Sequence, residues 1–131
     1  MAFHFKNNTS MTRMTNTVVY GIPNCDTVRK ARKWLEQQQV TYKFHDVRAN
    51  PVSAEEIHNW LQQLGIDTVL NKRSTAWRQL SATEQTVTDT ADVVALLQRY
   101  PTLMKRPLLA TNKHYCAGFK EADWRSALEL G

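Results

Sequence analysis

The feature that most constrains the fold is an alternation of strand, helix and strand in the first part of the chain. The segment 17–21 is short and contains β-branched residues. The turn residues Ile22, Pro23 and Asn24 follow it, as is typical of a buried strand. Apolar residues then recur at helical spacing from residue 26 to about residue 39, and residues 41–47 alternate like a second strand. This order predicts a right-handed parallel βαβ unit.

Helical patterns fill the middle of the chain. Ser53 and Glu56 have the spacing of a capping box, and Gly65 stops the apolar stripe that follows them. A short helix is predicted over residues 75–80. A further helix is expected to begin at residue 89 or 90 and to end before residue 101, with an apolar face made of Ala91, Val94 and Leu97.

The last part of the chain returns to strands and closes with a helix. Residues 108–110 and 115–117 are short strand candidates on either side of a polar turn, which indicates an antiparallel hairpin. Residues 121–130 have the pattern of a helix whose inward side chains are Trp124, Ala127 and Leu128. The order β-α-β, helical insertion, β-β-α predicts an α/β chain with a thioredoxin-like fold, built on a four-stranded mixed sheet.

These patterns predict the domain organisation. We expect one domain over residues 15–131, with its core over residues 15–52 and 105–131 and its helical insertion over residues 53–104. Residues 1–14 form a polar leader that lacks the apolar stretch of a secretory signal, and we expect them to be disordered. The 131 residues are enough to bury a core without disulfides.

Composition narrows the class of protein. The chain has two cysteines far apart in sequence, which make no disulfide framework and favour a cytoplasmic location. No apolar run reaches membrane-spanning length, so no membrane partner is expected. The net charge of +5 is spread over small clusters, without a basic tail or a known DNA-reading motif, and this disfavours nucleic-acid binding.

Cys25 is the strongest candidate for a reactive residue. It opens the first predicted helix, where backbone N–H groups and the positive end of the helix dipole stabilise a thiolate. The alternative is a small buried side chain, but the turn residues Pro23, Asn24 and Asp26 argue for exposure. In a sheet of this order, a ligand site is expected just beyond the first strand, which is where Cys25 lies.

Two segments are candidates to face Cys25. Pro107 precedes a predicted strand at the position where thioredoxin-like folds carry a cis-proline, so we expect a cis Arg106-Pro107 bond; the alternative is an ordinary trans-proline. Arg106 and Arg73 are candidates to bind a carboxylate or an oxyanion with a bidentate fork. Arg29 is instead expected on a solvated helix face.

Spacing excludes several kinds of site. Val28 stands where a C-x-x-C motif has its second cysteine, and Ala31 stands where a tyrosine-phosphatase loop has its arginine. The four histidines lack metal-ligand spacing, so no metal is expected. Cys116 is interpreted as a core residue, and a resolving thiol is the alternative.

A family resemblance is recognisable at residues 19–35, which read VYGIPNCDTVRKARKWL. Further matching stretches are residues 46–48 (DVR), 70–74 (LNKRS), 105–108 (KRPL) and 117–119 (AGF). From about residue 16 to its end, the chain resembles the arsenate reductase (ArsC)/Spx family, and especially its YffB-like branch.

The resemblance implies a thioredoxin-like fold with Cys25 as the nucleophile. Arsenate reductases of the family bind the oxyanion with three arginines, and Arg73 and Arg106 match the first two. Ala117 and Gly118 stand where the third is expected. The loss of one such contact implies oxyanion binding weaker by roughly 1.5–3 kcal/mol.

The YffB-like branch implies a glutathione-dependent thiol reductase that uses one cysteine. Cys25 would form a mixed disulfide with a disulfide or an oxidised small-molecule or protein substrate, and glutathione would resolve it as cosubstrate. The residues implied to bind the substrate are Asn24, Thr27, Arg73, Arg106, Pro107 and Lys113. Among them, Thr27 stabilises the thiolate, the cations hold the carboxylates of glutathione, and Pro107 pairs with its backbone.

Two other functions stay open. One is an arsenate reductase coupled to glutathione and glutaredoxin. The other is a Spx-like regulator that binds the RNA polymerase alpha subunit, although Val28 breaks the C-x-x-C switch that Spx proteins usually carry.

Overall fold

The structure is a computed structural model that describes residues 16–130. The leader expected over residues 1–14 lies outside the described residues. The chain divides into two compact units: one joins the chain up to Asp46 with the chain from Arg106 onward, and the other is Val47–Lys105. Between residues 16 and 130, no helix combines the length and the apolar character that crossing a bilayer requires.

The helices and strands follow the predicted order. In chain order they are β1 (Val18–Gly21), α1 (Asp26–Gln37), β2 (Lys43–Asp46), α2 (Ala54–Leu64), α3 (Ile66–Val69), α4 (Thr75–Arg78), a 3₁₀ turn (Glu84–Thr86), α5 (Thr90–Arg99), a second 3₁₀ turn (Pro101–Leu103), β3 (Leu108–Ala110), β4 (Tyr115–Ala117) and α6 (Glu121–Ala127). The strands, α1 and α6 belong to the first unit, and α2 to α5 belong to the second.

The four strands of the described chain form one mixed sheet in the order β2-β1-β3-β4. β1 runs parallel to β2, with Val18 opposite Lys43 and Gly21 opposite Asp46. β1 and β3 are antiparallel, and so are β3 and β4. The α/β class, the parallel βαβ unit and the antiparallel hairpin predicted from the sequence are confirmed.

Helix α1 buries one face against the sheet. Its apolar residues recur at helical spacing, and four of them are buried: Val28, Ala31, Trp34 and Leu35. The last three belong to a cluster that also contains residues of β1, β3 and α6: Val19, Leu109, Trp124 and Ala127. Because burying a large apolar side chain contributes about 1.5–3 kcal/mol, this cluster holds α1 and α6 on the sheet.

Three aromatic rings determine where α6 meets α1. The rings of Trp34, Phe119 and Trp124 pack edge to face, with centroids 5.0 to 6.5 Å apart. Trp34 Nε1 donates to Glu121 Oε1 at 3.1 Å, and Trp124 Nε1 donates to the Gly118 carbonyl at 2.8 Å. Both indole N–H groups are therefore satisfied while their rings are buried.

Helix α2 begins and ends as predicted. The Ser53 Oγ accepts a hydrogen bond from the Glu56 N–H at 3.1 Å. Gly65, with φ 87°, ends the helix, and its N–H donates to the Leu61 carbonyl at 2.9 Å. The single turn of α3 follows directly. It was not predicted, because Gly65 was interpreted as the end of the helical segment.

Two details of the helix predictions are wrong. Ala91 is exposed, and the buried face of α5 instead consists of Val93, Val94, Leu96 and Leu97. Helix α6 ends at Ala127 rather than at residue 130, because Glu129 adopts a left-handed conformation with φ 56°. Leu128 therefore lies at the end of α6 and is half-buried.

Candidate active site

Strand direction brings four segments of the chain to one edge of the sheet. β1, β2 and β4 end at this edge, and β3 begins there. The segments carry Cys25 after β1, Asp46 at the end of β2, Arg106-Pro107 before β3 and Gly118 after β4. These residues define what we call the thiol edge, which is the place where sheets of this type bind ligands.

Cys25 is the N-cap residue of α1. Its φ of −111° and ψ of 127° are extended, as an N-cap requires, and its carbonyl accepts from the Arg29 N–H at 2.9 Å. Within the described chain, its side chain makes no capping hydrogen bond. The residue is partly exposed, so the alternative of a fully buried thiol is wrong.

The residues around Cys25 leave it open to solvent. Asn24 and Thr27 are both exposed on either side of it. Arg29 pairs with Asp26, and its Nη1 donates to the Pro23 carbonyl at 3.3 Å. The charge of Arg29 is therefore compensated within the first turn of α1, as predicted for a solvated helix face.

Gly21 determines how closely α1 approaches the end of β1. A Cβ at this position would lie 2.9 Å from Val28 Cγ2 and 3.4 Å from Val28 Cγ1. Carbon atoms in contact are normally about 3.5–4.0 Å apart. A glycine is therefore needed for the first turn of α1 to pack on β1, and this packing fixes Cys25 above the end of the strand.

Arg106 and Pro107 lie beside the end of β1. The register pairs Tyr20 with Leu108 as the last pair of the β1–β3 ladder, so Pro107 lies directly before this pair at the thiol edge. The Arg106-Pro107 bond is cis, as predicted. Pro107 is buried and Arg106 is half-buried.

Sequence reasoning did not assign two residues of the thiol edge to the site. Gly118 has φ 79°, and its N–H donates to the Pro107 carbonyl at 2.8 Å. A glycine directly after a predicted strand was the available signal for this turn. Asp46 is half-buried opposite Gly21. The sequence showed it only as part of the matching stretch 46–48, because its place at this edge depends on the register between β1 and β2.

Arg73 belongs to the second unit. It is exposed in the turn between α3 and α4, where its N–H donates to Asn71 Oδ1 at 3.1 Å. Its carbonyl accepts from Arg78 Nη2 at 3.2 Å. These contacts orient the turn, and a role for the Arg73 guanidinium beside Cys25 stays a prediction.

The prediction that Lys113 joins this site is wrong. β3 runs away from the thiol edge and ends at Ala110, opposite Val18 at the start of β1. Lys113 lies in the turn beyond Ala110, and its Nζ is 3.5 Å from Glu129 Oε2. The length of β1, at about 3.3 Å per residue, separates Lys113 from the thiol edge.

Cys116 is half-buried in β4, so the prediction of a core residue is confirmed only in part. Its side chain packs against the hydrophobic cluster, and its Sγ donates weakly to the Asp123 carbonyl at 3.8 Å. Burial, with a smaller contribution from the nearby Asp123 carboxylate, raises the pKa of the Cys116 thiol. A raised pKa makes this thiol a poor nucleophile at neutral pH.

The sheet also argues against Cys116 as a resolving thiol. Cys116 pairs with Leu109, and Leu109 pairs with Val19 of β1. Two strand spacings of about 4.8 Å each therefore separate Cys116 from β1, and Cys25 lies farther along, beyond the end of β1. The Cα atoms of a disulfide lie within about 6.8 Å of each other, so a Cys25–Cys116 bond would require the sheet to rearrange.

A family model matches most of the chain. The model of the ArsC family matches residues 20–127, which include Cys25, Arg73 and Arg106-Pro107. The chain belongs to the ArsC family. The resemblance noted from the sequence is thereby confirmed.

Several known proteins are similar to this ArsC-family chain over 80% or more of their length. A YffB protein of known structure is 37% identical, with a TM-score of 0.79 over 85% of this chain and 96% of that protein. The structure of an arsenate reductase (ArsC) related protein from Brucella melitensis is 33% identical, with a TM-score of 0.66 over 88% of this chain and 97% of that protein. The global transcriptional regulator Spx from Streptococcus pneumoniae is 28% identical over 81% of this chain and 80% of the regulator.

These likenesses confirm the thioredoxin-like fold and the YffB-like branch of the ArsC family. They also connect the chain to two kinds of relative, arsenate reductase related proteins and Spx regulators. In this ArsC-family chain, Ala117 and Gly118 stand at the end of β4 where the resemblance implies a third arginine.

Proposed function

We propose that the chain is a glutathione-dependent thiol reductase that uses Cys25 as its single nucleophile. The observation that supports this most is the position of Cys25, a partly exposed thiol at the N-cap of α1 on the thiol edge. The start of a helix stabilises a thiolate, and the thiolate is the attacking species in disulfide exchange. The likeness to an arsenate reductase related protein supports reductase chemistry.

The reaction takes place in two exchange steps. The Cys25 thiolate attacks the glutathione sulfur of a mixed disulfide between glutathione and a substrate thiol. A Cys25–glutathione disulfide forms, the substrate disulfide breaks, and the substrate sulfur leaves as a thiolate that takes a proton from water. The thiolate of a second glutathione then attacks the Cys25–glutathione disulfide, which releases the Cys25 thiolate and oxidised glutathione.

Residues of the thiol edge have separate roles in this proposal. The half-buried Arg106 binds a carboxylate of glutathione, since its guanidinium can donate two parallel hydrogen bonds. Thr27 and Asn24, both exposed, contact the substrate at the entrance to α1. Pro107 has no N–H and its carbonyl already accepts from Gly118, so its pairing with a peptide would use the remaining lone pair of that carbonyl.

Intact mass spectrometry after incubation with oxidised glutathione tests the proposal. Wild-type protein is expected to gain one glutathionyl group, which reduced glutathione removes. Cys25→Ser is expected to gain none. Cys116→Ser is the matched control, because the sequence contains just these two cysteines, and it should behave as wild type.

Turnover supplies the second half of the test. With a glutathionylated protein as substrate and reduced glutathione in excess, wild type and Cys116→Ser should release the substrate thiol catalytically, and Cys25→Ser should not. An adduct on Cys25→Ser, or an unreactive wild-type Cys25, would contradict the proposal.

A regulator that binds RNA polymerase is the second candidate function. The similarity to Spx over 81% of the chain supports it. Capture of the RNA polymerase alpha subunit by wild type and equally by Cys25→Ser would favour this function, because binding would then not need the thiol.

Arsenate reduction is a further alternative, supported by the likeness to the arsenate reductase related protein. The missing third arginine argues against it. Turnover of arsenate with glutathione and glutaredoxin, absent in Cys25→Ser, would favour this activity over reduction of disulfides.

A further inference from the structure

A cavity of about 270 Å³ lies at the edge of the sheet opposite the thiol edge. It is bounded by the start of β1, the chain just after α1, the turn between β3 and β4, and the chain just after α6. All of these segments belong to the first unit. Helix α1 begins beside Cys25 and ends at this cavity, and its 12 residues span about 18 Å. A ligand in the cavity would therefore not touch Cys25.

One wall of the cavity is apolar. Val40, Leu128 and Leu130 line it, and their inner sides pack against the hydrophobic cluster beneath the sheet. Each of the three is only partly buried. A ligand with an apolar group can therefore remove further apolar surface from water here.

Among the described residues, the lining of the cavity also carries one cation and one anion. Lys113 Nζ and Glu129 Oε2 are 3.5 Å apart, and their side chains are 72% and 58% exposed. An exposed pair of this kind contributes little to stability, because water screens it. A ligand with its own ammonium and carboxylate can replace this single pair with two, whereas a simple anion or cation would leave one protein charge without a partner.

The backbone at the cavity indicates that its polar side chains are needed. Within residues 16–130, the residues other than glycine with positive φ are Gln39 (60°) and Glu129 (56°), and both line the cavity. Each follows the C-cap residue of a helix, a position where glycine is common because a Cβ destabilises the left-handed conformation. Glutamine and glutamate at both positions favour a function for their side chains.

The size of the cavity limits the ligand. Pockets for drug-sized molecules have volumes of about 300–1,000 Å³, so a cavity of about 270 Å³ fits a smaller molecule. We propose that it binds a free amino acid with an apolar side chain. Glu129 binds the ammonium, Lys113 binds the carboxylate, and the side chain of the ligand packs on Val40, Leu128 and Leu130.

Titration of the ¹⁵N-labelled full chain with L-leucine and L-phenylalanine tests the proposal. Saturable amide shifts are expected at Val40, Lys113 and Glu129, with none at Cys25. Leucinamide lacks the carboxylate and 4-methylpentanoate lacks the ammonium, so each should bind about two- to fivefold more weakly, as expected for the loss of one exposed ion pair.

Variants test the contributions of the Lys113 and Glu129 charges one at a time. Lys113→Met and Glu129→Gln should each weaken leucine binding about two- to fivefold. Lys30→Met, a change to an exposed lysine outside the cavity, should leave binding unchanged. Cys25→Ser should bind leucine as wild type does, so the result is independent of the proposed reductase.

Three results would each overturn the proposal. They are the lack of a saturable shift with either amino acid, equal binding of leucine and 4-methylpentanoate, and shifts centred on the thiol edge rather than on the cavity.

Discussion

Gly21 is the residue on which the position of Cys25 most directly depends. A Cβ there would lie 2.9 Å from Val28 Cγ2, so Gly21→Ala should push the first turn of α1 away from β1. We expect the free energy of unfolding to fall by about 1–3 kcal/mol, the usual cost of overpacking. Urea denaturation measures this loss, and the rate of Cys25 alkylation reports the displacement of the thiol.

Val28→Ala provides the matched test of that contact. This change removes both methyl groups that the new Cβ would approach. By itself it should destabilise the chain, because Val28 is fully buried. The double variant Gly21→Ala/Val28→Ala should lose less stability than the sum of the two single changes. Strictly additive losses would show that the two residues are not in contact.

Cys116 gives a prediction about pH. Burial and the Asp123 carboxylate raise the pKa of its thiol, so in the Cys25→Ser variant its alkylation should accelerate at higher pH than that of an unfolded cysteine, whose pKa is about 8.5. Alkylation with iodoacetamide at a series of pH values, followed by mass spectrometry, measures this. The same chain in urea is the control.

The same shift has a consequence for stability. Because the pKa of Cys116 is higher in the folded chain than in the unfolded chain, its contribution is complete below the unfolded pKa and is lost as the pH rises through the folded pKa. Cys116→Ser, made in the Cys25→Ser background, should remove this decline. Identical alkylation profiles with and without urea would contradict the assignment.

Local sequence patterns located Cys25 correctly but misplaced Lys113. The exposure of Cys25 follows from turn and helix-start residues within a few positions of it, and these act locally. The separation of Lys113 from Cys25 depends instead on the direction of β3, which is set by pairing with a strand far away in sequence. Composition around Lys113 carries no information about that direction.

At the scale of single elements, the first residue of interest is the N-cap of α1, where a thiol stands in place of a side chain that would stabilise the start of the helix. In the described structure, Cys25 leaves α1 without a side-chain cap, whereas the Ser53 Oγ caps α2 at 3.1 Å. Cys25→Ser places a hydroxyl that can accept from an N–H of the first turn. We expect the free energy of unfolding to rise by roughly 0.5–1 kcal/mol while reaction with oxidised glutathione is lost.

Two variants check that this gain comes from capping. Cys116→Ser lies within β4 and should bring no gain, and Ser53→Ala should lower the free energy of unfolding by about 1 kcal/mol. Urea denaturation of all three variants at one pH gives the comparison. A less stable Cys25→Ser would mean that the thiol itself contributes packing at the thiol edge.

Element lengths followed from periodicity where the elements were long. Helices α1 and α2 are close to their predicted bounds because several apolar residues repeat over three turns. Helix α6 was predicted too long, since Leu128 and Leu130 continue the apolar pattern although the chain leaves the helix at Glu129. The signal that usually marks such an end is glycine, and here a glutamate occupies its position.

At the scale of the whole molecule, chain order predicted how the strands are arranged. It did not predict which residues meet at the thiol edge and at the opposite edge of the sheet. A helix between two strands implied the parallel pair, and a short polar turn implied the antiparallel pair; both are present. Register decides which residues meet across strands, and it depends on packing that a single sequence does not display. For this reason, the position of Asp46 at the thiol edge and the cavity at the opposite edge of the sheet became visible only in the structure.

The directions of the strands also place two cations of the first unit, Arg106 and Lys43, at opposite edges of the sheet. Arg106 lies at the thiol edge, whereas Lys43 pairs with Val18 at the opposite end of β1. If Arg106 binds a glutathione carboxylate, Arg106→Met should slow formation of the Cys25 adduct about tenfold at low concentrations of oxidised glutathione. The rate for Arg106→Lys should lie between the rates for wild type and Arg106→Met, because lysine keeps the charge but lacks the bidentate fork.

Lys43→Met is the charge-matched control for that prediction, because this exposed lysine lies away from Cys25. Its adduct should form at the wild-type rate. Measuring the rate over a range of oxidised glutathione concentrations separates affinity from reactivity, and Arg106→Met should lower the affinity. An equal loss in both variants would indicate a general effect of net charge, which screens with salt, and an unchanged Arg106→Met would exclude this arginine from the substrate site.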